Sequence, residues 1–478
     1  MMFQSNTSPR TIELNHQNNK SSRSRDQRIW PFVNNVSDKN EKRSDIIGPA
    51  EQLARPRPVK GPFVGPHEVN SWQDKDIDDQ ESFHRAISPI LAVAQIFALL
   101  PLFNIRNPSP AKLLFKLISI RTFYSAAIII MLCFMTYTAF VHMITTLRAD
   151  TFVQDGGVAT ATGGIMFYGN SLVGTMLFFW LAPKWISLQQ EWRMMERFFN
   201  SCKYPRLRLR WKFTLITAMI MIPAALEHIL SIVKAIPDSS EFPYRNATWR
   251  EYVAIYTDRS HAFTFTTVKY SPGLGIFYFL ISKIATFTWN FTDLFIILVS
   301  TGLAERYKHL NEVVLEGGKS NCSNLDWLRL REQYASLSSL VKHADNTISP
   351  IILLSFTNNL YFICLQLLNG LSPKGSSLIM TLYFFASFAF LIGRTVSVTL
   401  LTARINDQSK LALPAIYSCP PSCFTSETQR LQLQLTTDEV VMTGLKFFSI
   451  TRNFMLAVGG AILTYEVVLL QFNVAMGK

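Results

Sequence analysis

Charged residues are scarce in this chain. They make up 17% of its 478 residues, whereas a soluble protein of this size carries about 25%. Hydrophobic residues make up 49%, and downstream of residue 85 long apolar stretches alternate with short charged ones. Because a charge near the centre of a bilayer is energetically costly, this alternation is typical of an integral membrane protein and excludes an ordinary soluble domain.

The signatures of catalysis are missing as well. The sequence contains no G-x-x-x-x-G-K-[ST] loop, no H-E-x-x-H and no G-x-S-x-G. The eight histidines do not cluster, and Cys419–Cys423 has no second cysteine pair with zinc spacing. We therefore expect no enzyme, no cofactor and no metal site. The net charge of +13 lies in loops between apolar spans, which argues against a nucleic-acid partner.

The first 80 residues lack an apolar run of any length. They are rich in Asn, Ser, Arg, Asp and Pro, so we expect a disordered arm. Met1–Arg10 is polar, and no apolar stretch follows before residue 86, so we do not expect a signal peptide here. A polar arm of this kind is more easily left in the cytosol than translocated.

Seven apolar segments are long enough to cross a bilayer, for which a helix needs roughly 20 residues. The fourth is too long for a single crossing. Residues 86–105 are apolar too, but Pro89 and Pro101 near their ends favour a short re-entrant or surface helix within a pre-membrane region, residues 81–121. The seven segments are 122–147, 158–182, 213–236, 263–303, 348–370, 378–402 and 452–474. The fold class is thus an all-α membrane protein with seven transmembrane helices.

Basic residues orient these helices. Residues 184–212 contain eight basic and two acidic residues, whereas the loops 148–157 and 371–377 carry one basic residue each. This places the N-terminus in the cytoplasm and the C-terminus outside. The segment 237–262, with a glycosylation sequon at Asn246, is then extracellular.

Polar residues inside the spans define a candidate ligand pocket, because such groups are costly in a membrane. Glu227 and His228 lie in the outer half of the third span, where an external ligand arrives. Amides and phenols among aromatic rings suit a ligand with many hydroxyl groups; the alternative is hydrogen bonding between neighbouring helices. Lys283, Asp293 and Arg394 suggest structural pairs instead. The remaining pocket candidates are Tyr168, Asn170, Tyr270, Tyr278, Asn358, Asn359, Tyr361, Gln366 and Tyr383.

The last span ends in Thr464-Tyr465-Glu466-Val467-Val468-Leu469-Leu470-Gln471-Phe472. This resembles the T-Y-h-h-h-h-h-Q-F signature of insect gustatory receptors, with Glu466 in the first apolar position. Three other stretches are similar to the sugar-receptor branch of that family, and the resemblance covers roughly residues 80–475. These stretches are Phe83–Pro89 with Ala94-Gln95, Leu226–His228 and Ser355–Tyr361.

The resemblance implies a ligand-gated, non-selective cation channel for sweet taste in the plasma membrane. Its ligands are mono- or disaccharides, its permeants are Na⁺, K⁺ and Ca²⁺, and it is a homotetramer or a heterotetramer with related receptors. Helices 1–6, over 122–403, form the ligand-binding domain. Residues 404–451 form a cytoplasmic loop with an anchor helix at about 428–447. Helix 7, over 452–478, lines the pore, and the candidate gate residues are Tyr465, Glu466, Val468, Gln471 and Phe472.

Three other interpretations remain open at this stage. A metabotropic receptor of the G-protein-coupled type is suggested by seven spans and by Glu305-Arg306-Tyr307, a triplet like the D/E-R-Y of that family. The triplet follows the fourth span instead of the third, however, and the last span contains no proline. A sugar transporter and a purely structural subunit are the other two alternatives.

Overall fold

The computed structural model describes residues 81–146, 157–200, 207–235, 248–320, 325–371 and 378–476. The polar arm and Asn246 lie outside these ranges.

The helices are α1 (Phe83–Ile96), α2 (Ile120–Thr146), α3 (Gly157–Asn200), α4 (Leu209–Ala235), α5 (Trp249–His261), α6 (Pro272–Ser320), α7 (Trp327–Leu371), α8 (Leu378–Lys410), α9 (Leu413–Tyr417), α10 (Ser426–Thr437) and α11 (Arg452–Met476). Two short antiparallel pairs join β1 (Leu102–Phe103) to β2 (Leu114–Phe115), and β3 (Thr443–Gly444) to β4 (Phe448–Ser449).

Six of these helices are long and apolar enough to cross a membrane within the described ranges, namely α2, α3, α4, α6, α7 and α8. They correspond to the first six predicted spans. The seventh predicted span, 452–474, is the 25-residue helix α11. The chain is therefore an all-α, multi-pass membrane protein. We call the membrane face at which α2 begins the first face, and the opposite face the second face.

The sequence leaves open whether the apolar segment 86–105 crosses the membrane. In the structure most of this segment, up to Ile96, belongs to the short helix α1. It has 14 residues and is about 21 Å long, too short for a hydrocarbon core of about 30 Å. Its residues Phe83, Ile87 and Leu91 are fully buried against the other helices. The chain then leaves the helical path at Ala98, whose positive φ of 64° ends the helix, and continues into β1.

The fourth predicted span began too early. Residues 263–271 are not part of a spanning helix, because Ala262–Thr266 form a 3₁₀ turn and α6 begins at Pro272. The Ser271 hydroxyl accepts a hydrogen bond of 3.3 Å from the backbone amide of Leu274. Pro272, the first residue of α6, is well suited to the first helical turn.

Helices α3, α6 and α7 are much longer than a bilayer requires, at 44, 49 and 45 residues. At the first face, ion pairs with buried carboxylates join α6 to α3, α4 and α8. Arg306 contacts Glu196 at 2.6 Å, and Glu305 contacts Lys212 at 2.6 Å and Arg404 at 2.8 Å. The Glu-Arg-Tyr triplet therefore ties four helices together at this face.

Helix α6 is the centre of the bundle. Within its most apolar stretch 78% of the residues are buried, against 11% in α4. A helix surrounded by protein can carry polar side chains that would be too costly against lipid. This explains how Lys283, Asn290 and Asp293 are accommodated in α6, whereas α4 presents apolar side chains outward.

The predicted anchor helix at 428–447 is shorter than expected. Helix α10 ends at Thr437, and the chain after Asp438 forms the β3–β4 hairpin instead. Leu445 and Lys446 form its turn with positive φ values of 49° and 63°, a conformation that cannot continue a helix. The hairpin is held to α7 by Asp345, whose carboxylate accepts the backbone amide of Thr443 at 2.6 Å.

Candidate functional site

A cavity of about 530 Å³ lies among the helices near the second face. It is lined by the end of α2, the start of α3, the end of α4, the helix α5, the starts of α6 and α8, and the end of α7. Successive spans run in opposite directions, so all of these segments meet at the same end of the bundle. A volume of this size lies within the range of small-molecule sites, roughly 300–1,000 Å³.

Glu227 holds one wall of the cavity. Its Oε1 accepts the hydroxyl of Tyr383 at 3.1 Å and the hydroxyl of Ser387 at 3.1 Å. The amide of Gln366 donates to Ser387 at 3.3 Å. Thus α4, α7 and α8 are joined by one polar network that faces the cavity, and the second carboxylate oxygen of Glu227 adds acceptor capacity for a hydroxyl ligand.

The opposite wall is formed by α3, α5 and the 3₁₀ turn. The hydroxyl of Tyr168 lies 2.9 Å from Nε2 of His261, and the hydroxyl of Ser260 lies 2.6 Å from Nδ1 of the same ring. Burial, and then the positive charge of Lys283, lower the pKa of His261 to about 4. Burial also raises the pKa of Tyr256, against the hydrogen bond from Ser260. Both rings are therefore neutral at physiological pH.

Lys283 extends into the cavity from α6. Its ammonium group lies 4.3 Å from the centre of the Phe279 ring and 3.5 Å from the hydroxyl of Tyr256. Within the described ranges no carboxylate forms an ion pair with it. The sequence suggests a structural pair for Lys283; the geometry instead makes Lys283 a donor that faces the cavity.

Arg394 closes the cavity toward the membrane centre. It forms an ion pair of 2.7 Å with Asp293, and each side chain is at most 2% exposed. Its Nη2 donates to Asn359 at 3.1 Å, and its guanidinium lies 4.7 Å from the centre of the Trp289 ring. The sequence suggests structural pairs for Asp293 and Arg394 without naming partners; the structure pairs them with each other, and the arginine also lines the cavity.

A second, much smaller cavity of about 10 Å³ lies behind this pair. Asn170 and Asn358 line it and share a short amide–amide hydrogen bond between α3 and α7. The rings of Phe167 and Trp289 line both cavities. The space is too small for a sugar, so these two asparagines act here as contacts between helices.

The other candidates from the sequence do not line the large cavity. Asn359 donates to Asp293 at 3.0 Å. Tyr361 bonds Thr162 at 2.6 Å, and the fully buried Tyr278 stacks on His261 with ring centres 5.8 Å apart. Tyr270 is partly exposed beside Phe265. The structure thus brings together, around one space, only Glu227, His228, Tyr168, Gln366 and Tyr383.

Several lining residues were not predicted. The sequence predicts an external loop over 237–262, whereas the end of this segment folds into the bundle as α5 and contributes Tyr256, Ser260 and His261. The density of aromatic and hydroxyl residues in that stretch was the available signal. Small polar residues within spans, such as Ser231 and Ser387, gave no signal because they commonly bond their own helix backbone.

Helix α11 leaves much of its surface without a covering. Leu456 and Leu463 are 70% and 69% exposed, and Tyr465, Val467 and Val468 are exposed as well. Within the described ranges Oε2 of Glu466 is buried without a hydrogen-bond partner. Gln471 is exposed, and the side chain of Phe472 lies outside the described part of the chain.

Comparison with known proteins gives several relatives of this chain. A family profile described as "Trehalose receptor" matches residues 35–477. Three Drosophila melanogaster proteins are similar: gustatory receptor for sugar taste 64f (33% identity, 82% of this chain and 81% of the relative), gustatory receptor for sugar taste 64a (31%, 91% and 95%) and gustatory receptor 5a for trehalose (32%, 82% and 85%).

Solved structures agree with the fold. The insect olfactory receptor OR5 from Machilis hrabei, alone and in complex with eugenol, superposes with TM-scores of 0.59 and 0.57 at 12% identity, over 85% of this chain and 99% of that receptor. The fold is therefore shared with an insect olfactory receptor. The profile, which spans most of the chain, and the relatives above 30% identity establish that this chain belongs to the trehalose receptor family, within the sugar-receptor branch of the insect gustatory receptors.

Proposed function

We propose that this chain is a sugar-activated cation channel, and that the cavity of about 530 Å³ is its sugar site. The observation that carries the proposal is the lining itself. Carboxylate, amide, hydroxyl and ammonium groups project from different helices among the rings of Phe167, Trp289 and Phe390. Polar groups bond the hydroxyls of a sugar, while aromatic faces cover its apolar C–H surface.

The relatives support the ligand class. Two are named for sugar taste and one for trehalose, and each covers more than four-fifths of this chain. Each hydroxyl exchanges water for a protein partner at a net gain of about 1 kcal/mol. We therefore expect weak binding that depends on hydroxyl stereochemistry, as suits a sensor of abundant sugars.

Gating follows from a shift of population between a closed and an open pore. A sugar shifts this equilibrium only by its difference in affinity for the two states. The cavity can change shape between the two states. Its walls come from six spans and α5, and these elements are joined by hydrogen bonds instead of covalent bonds. Closing Tyr383 and Lys283 around a sugar would change the packing of α8 against α6.

The pore is assigned to four copies of α11. The exposed apolar surface of this helix is unfavourable in water but suitable for contact with neighbouring subunits and lipid. An apolar ring at Phe472 would close such a pore by dewetting, and rotation of Gln471 inward would hydrate it. The excess of Lys and Arg at the first face supports a cytoplasmic position for that face, with the cavity open to the outside.

Whole-cell current from cells that express this chain alone, measured against a panel of mono- and disaccharides, tests the proposal. We expect an inward cation current with at least one sugar, with half-maximal activation in the millimolar range. Uptake of radiolabelled sugar without current would identify a transporter instead. Surface expression without either response would indicate a subunit that needs a relative.

A further inference from the structure

A second pair of cavities lies at the first face, far from the sugar cavity. One of about 610 Å³ is lined by residues of α1, the loop after it and the start of α2, including Gln95, Arg106 and Arg121. The other, of about 320 Å³, lies between α1 and the start of α4 and includes Arg85, Arg106 and Arg210. The two adjoin, because Arg106, Asn107 and Pro108 line both.

The four arginines of these cavities are not neutralised. Throughout the described ranges none of the guanidinium groups of Arg85, Arg106, Arg121 and Arg210 forms an ion pair with a carboxylate. The nearby Glu81 accepts the backbone amide of Arg210 at 3.4 Å and does not pair with its side chain. Elsewhere at this face, in contrast, Arg306 and Arg404 are paired with Glu196 and Glu305.

The walls of the site are held in place by hydrogen bonds. His84 contacts the carbonyl of Asn107 at 3.0 Å, and the side chain of Asn104 donates to the carbonyl of Lys112 at 3.0 Å. Arg121 donates to Gln95 at 3.1 Å and lies 4.8 Å from the centre of the Phe103 ring. All of these partners are neutral, so they orient the arginine without cancelling its charge.

The site also adjoins the surface that faces lipid. Exposed apolar side chains flank it at the start of α2, where Ile118, Ile120 and Phe123 are 97%, 81% and 77% exposed, and at the start of α4, where Trp211 is 67% exposed. Tryptophan at this position is typical of the membrane–water interface. Arginine pockets at the level of the headgroups, beside surfaces for acyl chains, fit an anionic phospholipid better than a soluble anion.

We propose that these adjoining cavities bind an anionic phospholipid whose headgroup carries phosphate monoesters, with Arg85, Arg106, Arg121 and Arg210 as its ligands. Two cavities that share one arginine accommodate more than one phosphate group. The acyl chains then lie along the exposed side chains of α2 and α4. The proposal concerns a different face from the sugar cavity and does not depend on the proposed function.

The test measures binding of a fluorescent short-chain phosphatidylinositol bisphosphate to the purified full-length receptor by anisotropy. We expect the Arg106→Gln/Arg210→Gln variant to bind about 30-fold more weakly, because each arginine near a headgroup contributes about fivefold. Arg208→Gln is the matched control, since it removes the same charge from an exposed position two residues from Arg210 that does not line either cavity. It should weaken binding by less than about twofold.

Competition distinguishes the possible sources of the phosphate. Unlabelled phosphatidylinositol bisphosphate should displace the probe, whereas soluble inositol trisphosphate and short-chain phosphatidylserine should do so only at about tenfold higher concentration or more. Equal loss of binding in Arg208→Gln, or unchanged binding in the double variant, would overturn the site. Displacement by soluble inositol trisphosphate at the same concentration would overturn the assignment to a lipid.

Discussion

Asp293 and Arg394 form an ion pair of 2.7 Å at the inner end of the proposed sugar cavity, and neither side chain is more than 2% exposed. Removal of one member of such a pair leaves a buried charge without compensation, at a cost of about 3–5 kcal/mol. We expect Arg394→Leu to lower the melting temperature sharply and to reduce surface expression. Asp293→Leu/Arg394→Leu should regain much of the loss, because two apolar residues leave no buried charge. Fluorescence-detected size-exclusion chromatography after heating measures both, and equal stability of the single variant and the parent would contradict the pairing.

Tyr383 provides a test of the cavity by the loss of a single oxygen. Tyr383→Phe removes the donor to Glu227 and leaves the ring in place. In the proposed site this hydroxyl also bonds a sugar hydroxyl, at a net gain of about 1 kcal/mol, so we expect a roughly fivefold rise in the sugar concentration for half-maximal current. Tyr270→Phe is the matched control, because Tyr270 does not line the cavity. Similar shifts in both variants would show that the response does not depend on this cavity.

The neutral state of His261 makes stability depend on pH. Its folded pKa of about 4 lies below the ordinary value of 6.5, so the unfolded chain binds a proton first as the pH falls. Stability should therefore decrease between about pH 6.5 and pH 4, by about 2 kcal/mol from pH 7 to pH 5. Melting temperatures of the purified receptor at the two values, for the parent and for His261→Gln, isolate this effect. If the stability of His261→Gln falls equally steeply with pH, the pH dependence arises from other groups, such as His142 and His228, which line the same cavity.

Phe356 lies between the ion pair at the inner end of the cavity and helix α11. It follows Ser355, which donates to Asp293, and its ring lies 5.4 Å from those of both Phe448 in β4 and Phe454 in α11. We expect Phe356→Leu to keep sugar binding but to reduce the maximal current, because leucine cannot make these ring contacts. Phe447→Leu, on the same hairpin but 79% exposed, is the control. A shift in sugar affinity with an unchanged maximal current would contradict the coupling.

The gate assignment predicts different effects at two positions of α11 that are six residues apart. Phe472→Ala should raise the basal current, because a smaller side chain removes the apolar constriction. Glu466→Gln should alter the relative permeability of Ca²⁺ and Na⁺ if the carboxylate faces permeating ions. Reversal potentials in bi-ionic solutions measure the second effect. Unchanged basal current in Phe472→Ala, with a normal sugar response, would remove Phe472 from the gate.

The sequence located the six spans α2, α3, α4, α6, α7 and α8, apart from the early start of the fourth, because hydropathy is a local property. The first-face extensions of α3, α6 and α7 were not predicted, since they carry charges that are satisfied only by partners such as Glu196 and Arg306, which are 110 residues apart. The hairpin at 443–449 was missed for a similar reason. Its stability depends on Asp345, which is distant in the sequence.

Only part of the lining of the candidate site could be predicted from the sequence. Intramembrane polarity identified Glu227 and Tyr383, because isolated polar groups in an apolar span are conspicuous. It could not separate a side chain that faces a cavity from one that bonds a neighbouring helix, and Asn359 and Tyr361 proved to be of the second kind. The direction in which a side chain faces depends on the rotation of each helix in the bundle, which polarity alone does not specify.

Sugar application to outside-out patches excised from cells that express only this chain, with no nucleotide in the pipette, distinguishes a ligand-gated channel from a receptor that needs soluble partners. We predict a sugar-evoked cation current that persists after excision in the parent and in Tyr270→Phe, and that requires a higher sugar concentration in Tyr383→Phe. Loss of the parent current on excision, while whole-cell current and surface expression are retained, would contradict a pore formed by this chain.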